Sequence, residues 1–342
     1  MARTNTTQTG AKSIKTAGKH NFIDDIKGCC YTSARKTRDR RHFHISRLHL
    51  ITALAILLLL AHLTALSFGQ TTPQPSVTLT LTITDKTGRY VSGLRKEQIT
   101  VLDQERPQEI ISLEKKDRPV SVGFLVDASV LNSELWKICQ DALLKFMADS
   151  NPANEYFLMV FDSQTHLGIS FTNNRNQMAK AFDDLRRMKA SNYRNLYDAI
   201  ESSLKTVAAG QHAKRAIILV SADKDSASTI KYEALLDQLK HVDVLLYAIQ
   251  AKSGKAGSTV LKELTAVTGG TAFDSKTPVA FADAFEIVGL ELRHQYTVEY
   301  KPDPPATEGW HTLGFQVKPL QLKDSMTISL FPRSRAGYYG RQ

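Results

Sequence analysis

Three stretches of this chain, VSVGFLVD (120–127), RAIILVSAD (215–223) and VDVLLYAIQ (242–250), hold near-continuous apolar runs. Such runs mark strands buried on both faces. A strand of that kind needs a cover on each side, and the sequence between the runs supplies it. Helical patterns fall at 133–148, 174–188, 195–208, 230–240, 258–267 and 280–292, with further strand-like pieces at 155–162 and 271–273. Strands alternating with helices imply right-handed crossovers and a parallel sheet. HLGISF (166–171) follows Asp162 too closely for a crossover and is expected as an antiparallel edge strand. Residues 119–293 are therefore read as an α/β domain with a doubly wound, mostly parallel sheet.

The flanks have another character. Residues 77–118 alternate apolar and polar through VTLTLTITD, a KTGR turn, VSGL, ITVLD and IISLE. Residues 294–340 do the same in QYTVEY, TLGFQVK and MTISL. Period-two alternation rich in Val, Ile, Leu and Thr, broken by Gly-containing turns, predicts short antiparallel strands. Neither flank can build a core alone, so the two are expected to pair into one small β module with the α/β domain inserted between them.

The 342 residues carry a formal net charge of +10, which invites a nucleic-acid reading. The distribution argues otherwise. Residues 1–47 hold eleven of the 44 Lys/Arg but three of the 34 Asp/Glu, leaving the rest close to neutral. No polyanionic partner is expected. The basic leader, rich in Ser and Thr, is expected to be disordered. It precedes Leu48–Phe68, 21 residues without a formal charge, longer than the roughly 18 apolar residues that span a bilayer as a helix. Basic residues on the N-terminal side only place the leader in the cytoplasm and the remainder outside. Small residues at Ala65, Ser67 and Gly69 fit a signal-peptidase site, so residues 48–69 are either a cleaved signal or a transmembrane anchor. A Pro-containing linker, 70–76, leads into the β module. The expected location is exported: periplasmic, extracellular or anchored on the outer face of the cytoplasmic membrane. Of three cysteines, Cys29 and Cys30 lie in the leader, and Cys139 sits among apolar residues as an inert thiol.

In open α/β sheets ligands meet the carboxyl ends of the strands. The residues delivered there are Asp127, Asp162 and Asp223, and Asp127-Ala-Ser129 sets a carboxylate and a hydroxyl on one loop. Oxygen donors of this mixture suit a hard cation such as Mg²⁺. No Gly-rich phosphate loop follows the first strand, and no G-x-S-x-G elbow occurs. No nucleophile or base is identifiable, so no enzyme is expected. Trp136 is read as core packing, Gly269-Gly270 as a helix stop, and Tyr338-Tyr339 as packing on the β module.

The ordered combination VGFLVDAS, EYFLMVFDSQTHL, NLYDAI, AIILVSADKD, VLLYAI and VTGG resembles the von Willebrand factor A domain. The flanks, through RSRAGYYG, resemble a bacterial family of exported proteins that carry it. The resemblance implies a metal-ion-dependent adhesion site built on D-x-S-x-S, a Thr and a final Asp, with Mg²⁺ completed by an acidic group of a partner protein. Asp127, Ser129 and Asp223 match that pattern. Leu131 stands at the second Ser, and Arg194 falls at about the Thr. Leu cannot ligate, and a guanidinium would repel the metal while neutralising the carboxylates. The expectation is a degenerate site in which Arg194 replaces the cation and no cofactor is bound. The alternative is weak Mg²⁺ binding helped by Ser133, Ser191 or Asn192. The function expected of such a site is that of a non-enzymatic protein-interaction module, contacting a partner's acidic or polar surface through Asn192, Tyr193 and Arg194. The competing expectation is a cell-envelope scaffold with an inert α/β domain.

Overall fold

The computed structural model describes Thr52 and Ile56 and residues 76–131, 134–188, 191–221, 224–251, 255–321 and 327–340. Leu48–Phe68, apart from those two helical positions, lies outside the described residues, as do the leader, the linker up to Pro75, Ser133 and Asp223. Among the described residues no helix is long and apolar enough to cross a membrane. The strands and helices of the α/β domain and the β module all belong to the compact unit Thr72–Gln342.

The buried runs form the expected sheet. Strands β5 (Val120–Asp127), β6 (Glu155–Phe161), β7 (Thr165–Thr172), β8 (Lys214–Ser221), β9 (Leu245–Gln250) and β10 (Ala272–Asp274) lie in the order β10-β9-β8-β5-β6-β7. All pairings are parallel except β6–β7. β5 is central and buried at all eight positions. Its alternate residues feed two layers. Val122, Phe124 and Val126 pack with helices α1 (Leu135–Asp149), α2 (Arg175–Leu185) and α6 (Pro278–His294). Leu125 faces the other layer, formed by α3 (Leu196–Ala208), α4 (Tyr232–His241) and α5 (Lys255–Thr268). Gly123 is required on that second face, because a Cβ there would lie 2.2 Å from Phe157 Cζ. Trp136 stacks on Phe182 within the first layer, and Cys139 is fully buried beside it, its thiol pushed up by burial.

Helix ends follow local chemistry. Asn174 caps α2 by accepting from the amides of Asn176 and Gln177, at 2.9 and 3.1 Å. Thr277 caps α6 with Pro278 directly behind it. Gly269, at φ 86°, ends α5.

The flanks pair across the insertion. β1 (Val77–Asp85) lies between β11 (Tyr296–Tyr300) and β15 (Leu330–Arg333), with β4 (Ile110–Glu114) beyond β11. A second sheet has the order β16-β12-β2-β3, from β16 (Gly337–Gly340), β12 (Gly309–Val317), β2 (Ile99–Asp103) and β3 (Arg106–Gln108). Leu81, Val101, Val298 and Tyr300 belong to the one cluster between them. Three details differ from the sequence reading. Val91–Leu94 makes no strand, because Gly93 at φ 78° turns the chain and sends Leu94 into the core. Gln104 and Glu105, both at positive φ, form a two-residue turn that creates β3, a strand concealed by Pro107. Tyr338 and Tyr339 form β16, and Met326–Leu330 gives way to β14 (Thr327–Ile328), which pairs with β13 (Leu320–Gln321), and to β15.

The junction between module and α/β domain centres on Glu291 of α6, 2% exposed. Its Oε1 accepts from Tyr247 Oη of β9 at 2.7 Å and Thr82 Oγ1 of β1 at 3.2 Å. Its Oε2 accepts from Arg333 Nη2 of β15 at 2.5 Å.

Candidate functional site

Asp127 ends β5 and is completely buried, opposite Phe161 on the neighbouring β6. The chain then makes a single helical turn, Ala128–Leu131. Asp127 Oδ1 accepts from the backbone amide of Ser129 at 2.8 Å, the local bond by which an Asp shapes its own turn. Asp162, one residue past β6, does comparable work. Its Oδ1 accepts from the amide of Gln164 and its Oδ2 from that of Ser191, both at 2.9 Å. Its carbonyl accepts from the amide of Asn195 at 2.6 Å. The segment 191–195 is thereby tied to the end of β6.

That tie brings Arg194 inward. Its Nε lies 2.7 Å from Asp127 Oδ1, the two side chains being 10% and 0% exposed. The N–H vector misses the oxygen, so this is a Coulombic contact rather than an aligned hydrogen bond. Nη1 donates to the carbonyls of Ser191 at 2.6 Å and Tyr193 at 2.8 Å. The backbone joins in. Arg194 donates its amide to Ser226 Oγ at 2.9 Å, and its carbonyl accepts from the amides of Ser226 and Ala227. The loop after β8 is braced internally, with Asp225 Oδ1 accepting from Ser228 Oγ at 2.5 Å, and is held by α3, whose Asp198 carboxylate accepts from the amides of Thr229 and Ile230. Asp127, Asp162 and the loop after β8 thus converge on the segment 191–195, with only Asp127 among them meeting the guanidinium.

Of the site residues expected from sequence, the structure joins Asp127, Ser129 and Arg194 and sets Asn192 and Tyr193 beside them. Asp223 lies outside the described residues, and with it its distance from Asp127. Arg194, expected both in the cation's place and as a partner contact, is largely buried. It is 9% exposed, because Asp127 and two carbonyls draw it in. Tyr193, 62% exposed, and Asn192 form the surface instead. Besides Arg194 Nε, two polar atoms of these loops are buried without a hydrogen bond among the described residues, Ser129 Oγ and Asn195 Oδ1. Sequence reasoning missed the tie from Asp162 to Ser191 and Asn195. The only signal for it was a carboxylate just past a buried strand.

Among the described residues, the donors depart from the pattern of a divalent-cation site. The position nearest Asp127 is occupied by a guanidinium, and position 131, a Leu, offers no ligating side-chain atom. Among the described residues no group of three or more His, Cys, Asp or Glu is placed to hold a metal.

The profile of the von Willebrand factor type A domain matches residues 122–225, the span from within β5 to the loop after β8. Residues 122–225 are a von Willebrand factor type A domain. Solved structures with a similar fold include proximal thread matrix protein 1 from the mussel byssus, 12% identical over 56% of this chain and 50% of that one, with a TM-score of 0.46. The von Willebrand factor domain of the type V pili tip protein Mfa5 from Porphyromonas gingivalis is 10% identical over 51% and 95%, with a TM-score of 0.41. The PilB minor pilin from Streptococcus sanguinis is 9% identical over 53% and 63%, with a TM-score of 0.43. The chain spans about half the length of the mussel protein. No curated protein matches it.

Proposed function

We propose that this chain is a non-enzymatic interaction module of the von Willebrand factor A type that acts outside the cytoplasm and needs no bound cation. Contact with a protein partner runs through the loops at the carboxyl ends of β5, β6 and β8, with Tyr193 and Asn192 as the exposed residues. One observation carries the reading: Arg194 Nε stands 2.7 Å from the fully buried Asp127 carboxylate, where a resident positive charge answers it. A buried carboxylate already neutralised in this way has little to offer a metal. Export is supported by the sequence alone, in the apolar run Leu48–Phe68 behind a basic leader.

Calorimetric titration of the detergent-solubilised full chain with Mg²⁺ tests the cation-free part. The expected result is no binding heat at millimolar Mg²⁺, and micromolar affinity would reject it. Affinity capture in the presence of a chelator tests the surface. Partners retained by the parent and lost from Tyr193→Ala/Asn192→Ala support the reading, and identical capture by both chains defeats it.

A further inference from the structure

The β module encloses an acid–base cluster far from the loops at the carboxyl end of the sheet. Asp103, at the end of β2, is 4% exposed, and His311 of β12 is 8% exposed. His311 Nδ1 lies 3.1 Å from Asp103 Oδ1, and its Nε2 lies 2.9 Å from the carbonyl oxygen of Thr307. The other carboxylate oxygen, Oδ2, accepts from Tyr300 Oη of β11 and Tyr338 Oη of β16, both at 2.7 Å. Burial holds these two phenols above their ordinary value, so both remain donors through the neutral range. Arg106 of β3 borders the same cavity as His311, and Lys301, Asp303 and Glu308 are exposed charges of the connection 301–308 between β11 and β12.

Both imidazole nitrogens thus face oxygens. A neutral ring has one N–H and one lone pair, so it can serve only one of the two acceptors. The second bond exists only in the imidazolium. When a proton leaves, the remaining N–H stays with the carboxylate, since a bond to an ionised partner is roughly twice as strong as a neutral one. Nε2 then turns a lone pair on the Thr307 carbonyl. That carbonyl cannot slide along the module, because Gly340 of β16 packs directly against it, and a Cβ at 340 would lie 2.0 Å from Thr307 O. Outward movement is the way left to it. A second tie, at Asp303, does not titrate. Gln108 of β3 accepts from the Asp303 amide at 2.7 Å and donates to the Asp303 carbonyl at 3.2 Å. Between the two ties the connection walls a cavity of about 280 Å³ that also borders Asp103 and Arg106.

We propose that His311 is a proton-operated latch. Doubly protonated, it pins Thr307 and closes the connection 301–308 over this cavity. On losing one proton it lets the Thr307 end open, while Gln108 keeps the Asp303 end in place. Imidazoles change charge between about pH 5 and 8, so the cavity is closed in mildly acidic surroundings and open in mildly alkaline ones.

The test uses the full chain in detergent micelles with ¹⁵N-labelled histidine. The His311 ring is assigned through its contacts with the Tyr338 ring, stacked on it at 5.1 Å. At about pH 5.5 both ring nitrogens are expected to carry hydrogen, and at about pH 8 only Nδ1. Cleavage after Glu308 by a glutamate-specific protease, referred to a free peptide of the same sequence, reads the connection itself. It should be at least about tenfold faster at the higher pH. One protonated nitrogen at the lower pH, two at the higher, Nε2–H in place of Nδ1–H, or cleavage that ignores pH overturns the latch. His311→Asn keeps a donor for Asp103 but falls short of Thr307. It should be cut at the lower pH as fast as the parent at the higher, with no further response to pH. Protection equal to the parent's overturns the proposal as well. Should this variant fail to fold, the two readings on the parent decide.

Discussion

Two arginine–carboxylate pairs lie in the interior of this molecule, and they stand in different places. At the junction, Glu291 accepts bonds from Tyr247 of the α/β domain and from Thr82, Gln295 and Arg333 of the β module, so both carboxylate oxygens are engaged. At the carboxyl end of the sheet, Asp127 meets Arg194 through a misaligned contact, with Ser129 Oγ and Asn195 Oδ1 left without hydrogen bonds nearby. The Glu291 carboxylate is engaged at both oxygens, although Gln295 Oε1 of the same network is buried without a hydrogen bond. Around Asp127 the oxygens without hydrogen bonds lie at the carboxyl ends of the strands, beside the exposed Tyr193. Position thus separates the two pairs: Glu291 joins the α/β domain to the β module, and Asp127 lies at the loop end of the sheet.

The sharpest contrast is in what each pair tolerates. Arg194→Gln removes the guanidinium beside Asp127, which has zero exposure, and the expected loss is about 3–5 kcal/mol, read by chemical denaturation. Asp127→Asn/Arg194→Gln removes both charges and should recover all but about 1 kcal/mol. Failure of the double variant to recover would mean that Arg194 acts through its backbone-directed Nη1 bonds rather than through Asp127. Glu291→Ala should cost less, about 2–3 kcal/mol, because the side chain of Arg333 is 33% exposed and can turn to water. Its loss should also uncouple the halves, giving two denaturation steps where the parent shows one.

The sequence foretold these two regions unequally. The parallel sheet followed from apolar runs that can only be buried twice, and β7 from the shortness of the link after Asp162. Asp127 and Arg194 stood out because a family pattern made their residue types conspicuous. The Glu291 network left no such trace, since its members lie as far apart in the chain as Thr82, Tyr247 and Arg333, and only the pairing of β1 with β11 and β15 gathers them. β3 was hidden for a different reason: its two-residue turn uses Gln104 and Glu105 at positive φ, where glycine or asparagine is the usual sign. Hydrogen bonds to β12 hold that turn, with the Gln104 amide donating to Thr312 O and its Nε2 to Trp310 O.

Alkaline pH probes the junction further. Burial pushes the Lys214 ammonium down to about 8, with its Nζ donating to Leu292 O at the end of α6 at 2.6 Å. A lysine whose folded pKa is depressed loses its proton earlier in the folded chain than in the unfolded one. Stability should therefore rise from about pH 8 toward pH 10, by an amount on the order of 1 kcal/mol for this half-buried group. Above pH 10 the sign reverses. Burial holds the phenols of Tyr247, Tyr300, Tyr90 and Tyr338 above their ordinary value, so the unfolded chain ionises first and the fold weakens. Lys214→Met should abolish the rise and leave the alkaline collapse. A rise that survives Lys214→Met would assign it to another group.

The smallest expected effect lies at the most exposed residue of the site. Tyr193 is 62% exposed and its backbone amide donates to Ser191 Oγ at 3.1 Å, a bond that alanine retains. Tyr193→Ala should leave the denaturation midpoint within about 0.5 kcal/mol of the parent, the range of ordinary surface changes. Its structural silence is what gives it value. Arg194 and Asp127 cannot be altered without disturbing the loops they hold, so lost binding in those variants would confound recognition with folding. Tyr193 touches the same surface from outside the network. Partner capture that falls at least tenfold in Tyr193→Ala with stability unchanged assigns the loops a recognition role. Capture that falls only when Arg194 or Glu291 is changed would make the carboxyl end of the sheet a second structural junction, no different in kind from the first.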